Sequence, residues 1–389
     1  MPDDGTDLDF NCLASDRARA IDASGIRRMF ELAAGLENPI NLTIGQPDFP
    51  VPRAIKDAVI QAIESDGNGY TVTQGGPAAL ESVKRQVRKD IGWACDGTRT
   101  DAMLTSGTSG GLMLAALALL QEGDELIIPD PWFVLYPKLA TFTGARVIPC
   151  DTYPDFRLTA ERVAPLITDR TKALILASPG NPTGVVLDSK DLAELVSLCQ
   201  ERGVLLISDE IYDEFTYQDA LEDDACPSAA RLWDQVLLIR GLGKTYGCTG
   251  WRLGYAAGPA GLIDEMTKLQ QFTYVCTPSM AQAAFEVSDD VCMRKHVDEY
   301  QTRRDLVVKE LGSLTDVVVP GGAFYAFIAV PESLGLTGTQ FAERALERRV
   351  LVVPGAVFSG RDTHFRISYA VTPDKLAEGL EILRDLLAE

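Results

Sequence analysis

The sequence predicts an α/β protein: a large domain on a mostly parallel seven-stranded sheet, followed by a smaller α+β domain. Three observations predict it. At 389 residues the chain exceeds one ordinary hydrophobic core and suffices for two. From about residue 100 to 260, short β-rich runs alternate with helix-length amphipathic stretches, the pattern of a parallel sheet covered on both faces. After about residue 280 the alternation gives way to a long charged helical pattern and a few separate strands.

In chain order, Ser24 to Ala33 reads as a helix and is grouped with the smaller C-terminal unit. Met103 to Thr105, Glu125 to Pro129, Arg146 to Cys150, Lys172 to Ala177, Val204 to Ser208, Val236 to Ile239 and Arg252 to Ala257 read as the seven strands. Gly110 to Leu120 and Ser189 to Arg202 lie between them as helices. Ala281 to Leu311 reads as one long helix, with strands at Val317 to Val319, Ala323 to Val330 and Phe365 to Tyr369, and a helix over Gly338 to Arg349. The expected division is an N-terminal segment, 1–45, packing with the small domain, a large domain, 46–282, and a small domain, 283–389.

Composition narrows the functional classes. The apolar share of 46% and charged share of 24% are those of a soluble globular protein. The longest apolar run, Leu112 to Leu120, is less than half of what a bilayer requires, and the acidic stretch Met1 to Phe10 lacks the marks of a secretory signal. A cytoplasmic protein is expected. Eight cysteines without a CxxC pair, with only two histidines, are not metal-ligand spacing, so no metal is expected and the thiols read as reduced. A formal net charge of -20 repels phosphodiester backbones and anionic lipid, which excludes nucleic acid and membrane as expected partners. That charge reads as a solvated acidic surface, or as the mark of a salt-adapted source.

Three segments fall at or just after strand C-termini, where open α/β sheets bind ligands. They are Ser178-Pro-Gly-Asn-Pro-Thr-Gly184, Ser208-Asp-Glu-Ile-Tyr212 and Gly241-Leu-Gly-Lys-Thr-Tyr-Gly-Cys-Thr-Gly-Trp-Arg252. Each alone has a plain reading: Asn181 in a turn, Asp209 as a helix cap, Lys244 on the surface. Gly243-Lys244-Thr245 also suggests a phosphate-binding loop, but the glycine needed five residues before Gly243 is Leu238, which leaves that backbone cradle incomplete.

Asparagine, then Asp-x-x-Tyr, then lysine with arginine eight residues on, then Thr249-Gly-Trp-Arg-Leu-Gly-Tyr255: in this order the chain resembles the class I/II aminotransferases of fold type I, in the aspartate/aromatic aminotransferase-like subgroup, from about Ile40 to the C-terminus. The resemblance implies pyridoxal 5'-phosphate (PLP) as cofactor, an α-amino acid and a 2-oxo acid such as 2-oxoglutarate as substrates, and a homodimer with composite active sites.

The chemistry explains the residue types. An aldehyde cofactor needs a lysine amine to hold it as a Schiff base and later to move the substrate's α-proton; Lys244 fits. The pyridine nitrogen stays protonated only against a buried carboxylate, for which Asp209 is matched. Asn181 and Tyr212 correspond to the donors for the ring's phenolic oxygen. Phosphate calls for a helix N-terminus with hydroxyl and cationic groups: Thr105-Ser-Gly-Thr-Ser-Gly-Gly111 offers Thr108 and Ser109, and Arg252 adds charge, although the same text reads as an ordinary capped helix start. Many relatives carry serine or asparagine close before the lysine, whereas here Gly241 and Gly243 flank Leu242.

By the same resemblance Phe133 stacks on the pyridine ring, with a core aromatic as its alternative. Arg366 binds the substrate carboxylate, with a solvated edge residue as its alternative. Gly45 lies on the substrate side together with Asn181, and Tyr70 reaches the phosphate of the neighbouring subunit. Ser109 stands where aspartate-type members can place a lysine for the distal carboxylate; Arg27 or Arg28 could supply that charge instead. A PLP lyase cleaving C–S bonds is the competing activity on this scaffold. A PLP-sensing transcriptional regulator would require a DNA-binding domain, for which there is no room before Ile40.

Overall fold

Seven strands form the main sheet of the computed structural model, which describes residues 10–21 and 38–389. After a short strand β1, Ile40–Asn41, come β2 Thr100–Ser106, β3 Glu125–Asp130, β4 Arg146–Asp151, β5 Thr171–Ala177, β6 Leu205–Asp209, β7 Leu237–Gly241 and β8 Leu253–Pro259. The large sheet has the order β2-β8-β7-β6-β5-β3-β4, and only β8 runs against its neighbours. All seven expected strands are present. The interior strands carry continuous apolar runs, as in Leu174, Ile175 and Leu176 of β5, because both faces are covered, whereas the edge strand β4 is mostly exposed or half-buried.

One face packs on the helices Gly107–Leu119, Tyr136–Thr143 and Ala260–Thr273 through Leu112, Leu114, Ile175, Ile239, Ile263 and Met266. The other face packs on Pro77–Asp90 and Ser189–Arg202 through Val83, Val87, Leu192, Leu195 and Leu206. The helix Ser189–Arg202 has the expected limits, and both are set chemically. The Asp188 carboxylate accepts from Asp191 N at its start, and Gly203, at φ 65°, ends it in the left-handed region. The helix Gly107–Leu119 begins three residues before its expected start, because Gly107 and Thr108 already turn inside the first helical turn.

A second unit gathers β9 Tyr325–Ala329, β10 Val350–Leu351, β11 Val353–Pro354 and β12 His364–Ser368. The order β11-β12-β9 is antiparallel throughout, and β1 pairs in parallel with β10. The helices Arg294–Leu311, Gly338–Glu347 and Pro373–Leu387 close a core of Leu42, Phe324, Ile328, Phe341, Ile367, Leu380 and Leu383. The helix Gly338–Glu347 starts with a reciprocal cap: Thr337 Oγ1 accepts from Gln340 N at 3.2 Å, and Gln340 Oε1 accepts from Thr337 N at 2.9 Å.

Two expectations require correction. Ala281 to Leu311 is not one helix: Ala283–Ser288 and Arg294–Leu311 are separate, joined by a bend. Asp289 and Asp290 would place two carboxylates at the negative end of the first helix, and Ser288 turns its hydroxyl back onto the Phe285 carbonyl at 3.2 Å. Val317 to Val319 forms no strand, only a single bridge between Val317 and Ile328. Pro320 follows with no N–H to give, and Gly321 and Gly322 donate to Gly184 O instead. The helix expected over Ser24 to Ala33 lies outside the described residues.

Candidate active site

The C-terminal ends of β2, β5, β6 and β7 converge on a cavity of about 180 Å³. Asp209 is the last residue of β6, and Tyr212 lies on the loop that follows. Gly241 ends β7 and delivers Lys244 within the short helix Leu242–Thr245. Asn181 follows β5 by four residues, and Arg252 immediately precedes β8. From the second unit come Tyr325 of β9 and Arg366 of β12. Gly45, Thr108, Ser109, Phe133, Asn181, Asp209, Tyr212, Lys244, Arg252 and Arg366 all line the one cavity. Tyr70 does not: its side chain is 86% exposed, away from this cavity. Arg27 and Arg28 lie outside the described residues.

Lys244 reaches the cavity with its Nζ against the Gly45 carbonyl oxygen. Burial lowers its pKa to about 8, and the nearby positive charges of Arg366 and Arg252 add to the effect against the pull of Asp209. The amine is therefore neutral far more often than a surface lysine's. Asp209 is buried, and burial raises its carboxyl to about 6, opposed by a 2.8 Å hydrogen bond from Tyr136 Oη. A buried carboxyl held this way gains from a cationic neighbour, and the cavity leaves one side of it open to a ligand.

The Arg366 guanidinium, 1% exposed, is clamped between the rings of Tyr325 and Phe358, 4.4 and 4.6 Å from their centroids. Nη1 donates to Asn181 Oδ1 and Nη2 to Thr43 O, each at 2.9 Å, while buried Nε has no protein partner. Because Arg366 occupies the Asn181 carbonyl, the Asn181 amino group is the end left to donate elsewhere. The expected edge-strand alternative for Arg366 is thereby removed: it lies on the central strand of its sheet, with a fixed fork and an unmet donor.

At the other end, the helix Gly107–Leu119 opens on the cavity with Thr108 and Ser109 in its first turn, where N–H groups lack intrahelical acceptors. Gly107, at φ +66°, approaches Arg252 so closely that a Cβ would lie 2.5 Å from Nη2, and a Cβ on Gly254 would lie 2.5 Å from the Gly107 carbonyl carbon. Arg252 itself adopts φ 55°, an uncommon backbone for a non-glycine residue. Its side chain donates to Thr249 O at 3.2 Å and to Ser106 O at 3.4 Å. A helix N-terminus, two hydroxyls and a guanidinium thus surround one pole of the cavity, which suits a dianionic phosphate. Arg366, with one donor unmet, lines the other pole, and a buried carboxyl and a lysine of lowered pKa stand between. This donor set fits an aldehyde-bearing pyridinium phosphate.

A roomier recess of about 480 Å³ lies behind the Lys244 helix, lined by Asp90, Asp213, Glu214, Arg231, Arg240 and Tyr255 among others. Its floor is knit together by one shared guanidinium. Arg240 pairs with Glu210 at 2.8 Å, with Asp213 at 3.1 Å and with Asp90 at 2.5 Å. The cluster ties the chain beside Asp209, Tyr212 and Lys244 together from the rear.

The family model of aminotransferase class I and II matches residues 37–383. The chain belongs to the class I and II aminotransferases. This aminotransferase is 34% identical to the aspartate aminotransferase of Pyrococcus abyssi over 96% of its own length and 98% of that protein's. It is 33% identical, with the same coverage, to aromatic-amino-acid aminotransferase 2 of Thermococcus litoralis. The solved aspartate aminotransferase of Thermus thermophilus with maleate superposes with a TM-score of 0.89 at 32% identity, covering 96% of this chain and 99% of that one. The aminotransferase has the fold type I architecture and uses pyridoxal phosphate.

Three groups in this aminotransferase's site were not assigned from the sequence. Tyr136 donates to Asp209 and meets Phe133 edge-on at 5.6 Å. Its position three residues after Phe133 was the available signal. Tyr325 sat in a run written only as a strand, and the Thr43 carbonyl had no side-chain signal at all. Among the described residues no cluster of His, Cys, Asp or Glu is arranged to hold a metal ion, and no helix is long and apolar enough to cross a membrane.

Proposed function

We propose that this chain is a cytoplasmic homodimeric aminotransferase with a broad donor range, moving the amino group of an α-amino acid, aspartate and aromatic donors included, to a 2-oxo acid such as 2-oxoglutarate. The observation that carries the site assignment is the convergence of the Lys244 amine, the Asp209 carboxyl and the Arg366 guanidinium on one cavity. Breadth is supported by the near-equal identity, 34% and 33%, to relatives named for aspartate and for aromatic amino acids. It is also supported by the lining: among the described residues, beyond Lys244, the cations on the cavity are Arg252 at the phosphate pole and Arg366, and Ser109 brings no charge.

When bound, the cofactor supplies an electrophilic aldehyde and a ring that accepts the electrons left by removal of the substrate's α-proton. Lys244 Nζ would hold the cofactor covalently, and its free amine would be the base that takes the α-proton. Its lowered pKa raises the neutral fraction available for that task. The Asp209 carboxylate keeps a proton on the pyridine nitrogen. Asn181 and Tyr212 donate to the phenolic oxygen, and Phe133 covers the ring face. Thr108, Ser109 and Arg252 hold the phosphate, with the exposed Tyr70 reaching that of the partner subunit. Arg366 grips the α-carboxylate beside Gly45 and Asn181. The division into segment 1–45, large domain 46–282 and small domain 283–389 places this cavity at the domain junction, and the pairing of β1 with β10 supports grouping the N-terminal segment with the small domain.

A panel of amino donors against 2-oxoglutarate tests the reading. Amino acid alone should convert the bound cofactor to its amine form, seen by absorbance. Release of ammonia and a 2-oxo acid without that conversion would overturn it. Arg366→Ala should lower kcat/KM about 10- to 100-fold, chiefly through KM, as expected for losing charge-assisted hydrogen bonds worth ~1.5–3 kcal/mol. An unchanged KM in steady-state kinetics would remove Arg366 from carboxylate binding.

A further inference from the structure

We infer that Tyr325 is a positioning residue: it donates its hydroxyl hydrogen to Tyr212 and thereby leaves the Tyr212 hydrogen to be donated into the cavity. The inference rests on the reading of Tyr212 as a donor to the cofactor's phenolic oxygen and extends it to a side chain from the other sheet.

Tyr325 opens β9 and is buried, with its Oη 3.0 Å from Tyr212 Oη. Two hydroxyls at that distance share one hydrogen, so one must donate and the other accept. The groups facing Tyr325 decide which. Arg366, from β12, lies over the ring with its guanidinium 4.4 Å from the centroid, and a guanidinium has only donors. Lys244, from the helix Leu242–Thr245, directs its Nζ to the Gly45 carbonyl. Tyr369 is turned the other way, bonded to Tyr217 Oη at 3.0 Å. Among the described residues, Tyr212 is therefore the hydrogen-bond partner of the Tyr325 hydroxyl.

If Tyr325 donates, both hydroxyls are satisfied, and the Tyr212 hydrogen faces a ligand in the cavity it lines. If Tyr212 donated instead, it would offer the anionic oxygen of that ligand only lone pairs, and the Tyr325 hydrogen would stay buried without an acceptor. The chosen direction also strengthens the Tyr212 donor, because accepting one hydrogen bond polarises a hydroxyl toward giving another. Gly45 protects the arrangement: a Cβ there would lie 3.1 Å from Tyr325 Oη and crowd it.

Tyr325→Phe keeps the ring beneath Arg366 and deletes only the hydroxyl, which separates positioning from packing. The experiment compares holoenzymes of Tyr325→Phe, Tyr212→Phe and the double variant by kcat, by KM for the amino donor, and by the pH midpoint of the bound cofactor's absorption change. Tyr325→Phe should lower kcat about 3- to 10-fold and raise the midpoint by a few tenths of a pH unit, with KM within about 2-fold. Tyr212→Phe should do more, and the double variant should match Tyr212→Phe, because the second hydroxyl acts only through the first. Tyr325→Leu, which also strips the ring from Arg366, should raise KM in addition.

Wild-type kcat and midpoint in Tyr325→Phe, with both altered in Tyr212→Phe, would overturn the positioning role and leave the reading of Tyr212 standing. Additive losses in the double variant, or a KM rise in Tyr325→Phe equal to that in Tyr325→Leu, would overturn it as well. A wild-type midpoint in Tyr212→Phe would end both.

Discussion

Lys244→Ala will reduce transamination by at least ~10⁴-fold, since it removes both the covalent tether and the base, and a positioned base alone is commonly worth 10²–10⁴. The protein should still fold and still take up the cofactor, because the phosphate pole, Asp209 and Asn181 are untouched. Reversibly bound cofactor that dialysis removes, in place of covalently held cofactor, is the expected spectroscopic sign. A companion measurement uses the wild type. Burial brings the amine to about 8, so the rate at which cofactor-free protein captures added cofactor should climb with pH through about 8, well below the 10.5 ordinary for lysine. Turnover in Lys244→Ala within tenfold of wild type would defeat the assignment, and a capture rate that rises only near 10.5 would show that the amine is not buried as described.

The second large effect belongs to Asp209. Asp209→Asn keeps shape but removes the charge that faces the ring nitrogen, and kcat/KM should fall by about 10² to 10⁴, the equivalent of the 3–5 kcal/mol typical of breaking a buried ion pair. Stability gives an independent reading. Without cofactor, burial pushes the carboxyl up to about 6 from the ordinary 3.8, so the fold holds an extra proton between the two. Its contribution is fully present below the lower value and is lost as pH rises through the upper one, amounting to ~3 kcal/mol. A ring cation beside the carboxylate should restore what is lost. The rise in melting temperature on adding cofactor should therefore be larger at pH 7 than at pH 4.5 in the wild type, and this pH dependence should shrink in Asp209→Asn. Equal pH dependence in the two proteins would mean that Asp209 faces something other than a cation.

The parallel sheet was legible because both-sides burial writes itself as apolar runs, as in β3, β5 and β7, while the edge strand β4 is largely exposed and carries a weaker one. The helix Ser189–Arg202 was legible to the residue because Asp188 and Gly203 mark its ends chemically. The misreadings have a common cause. Periodicity in Ala281 to Leu311 survives across the Asp289–Met293 bend, so a pattern alone joins two helices that local charge separates. Val317 to Val319 has β-forming residues but a neighbouring proline and two glycines that send the backbone elsewhere. In the site, charged and sequence-marked groups were found, whereas Tyr136, Tyr325 and the Thr43 carbonyl were not. Their importance comes from partners 73, 113 and 323 residues distant, a separation that no local pattern encodes.

The fork of Arg366 has a further consequence. Its two bonds to Asn181 and Thr43, and the rings on either side, are all supplied by the chain itself. The entropy of ordering that arginine, and of choosing which way the Asn181 amide points, is settled during folding and does not recur at each encounter. An arriving amino acid surrenders mainly its own freedom, so even small donors with few contacts to offer can dock in register.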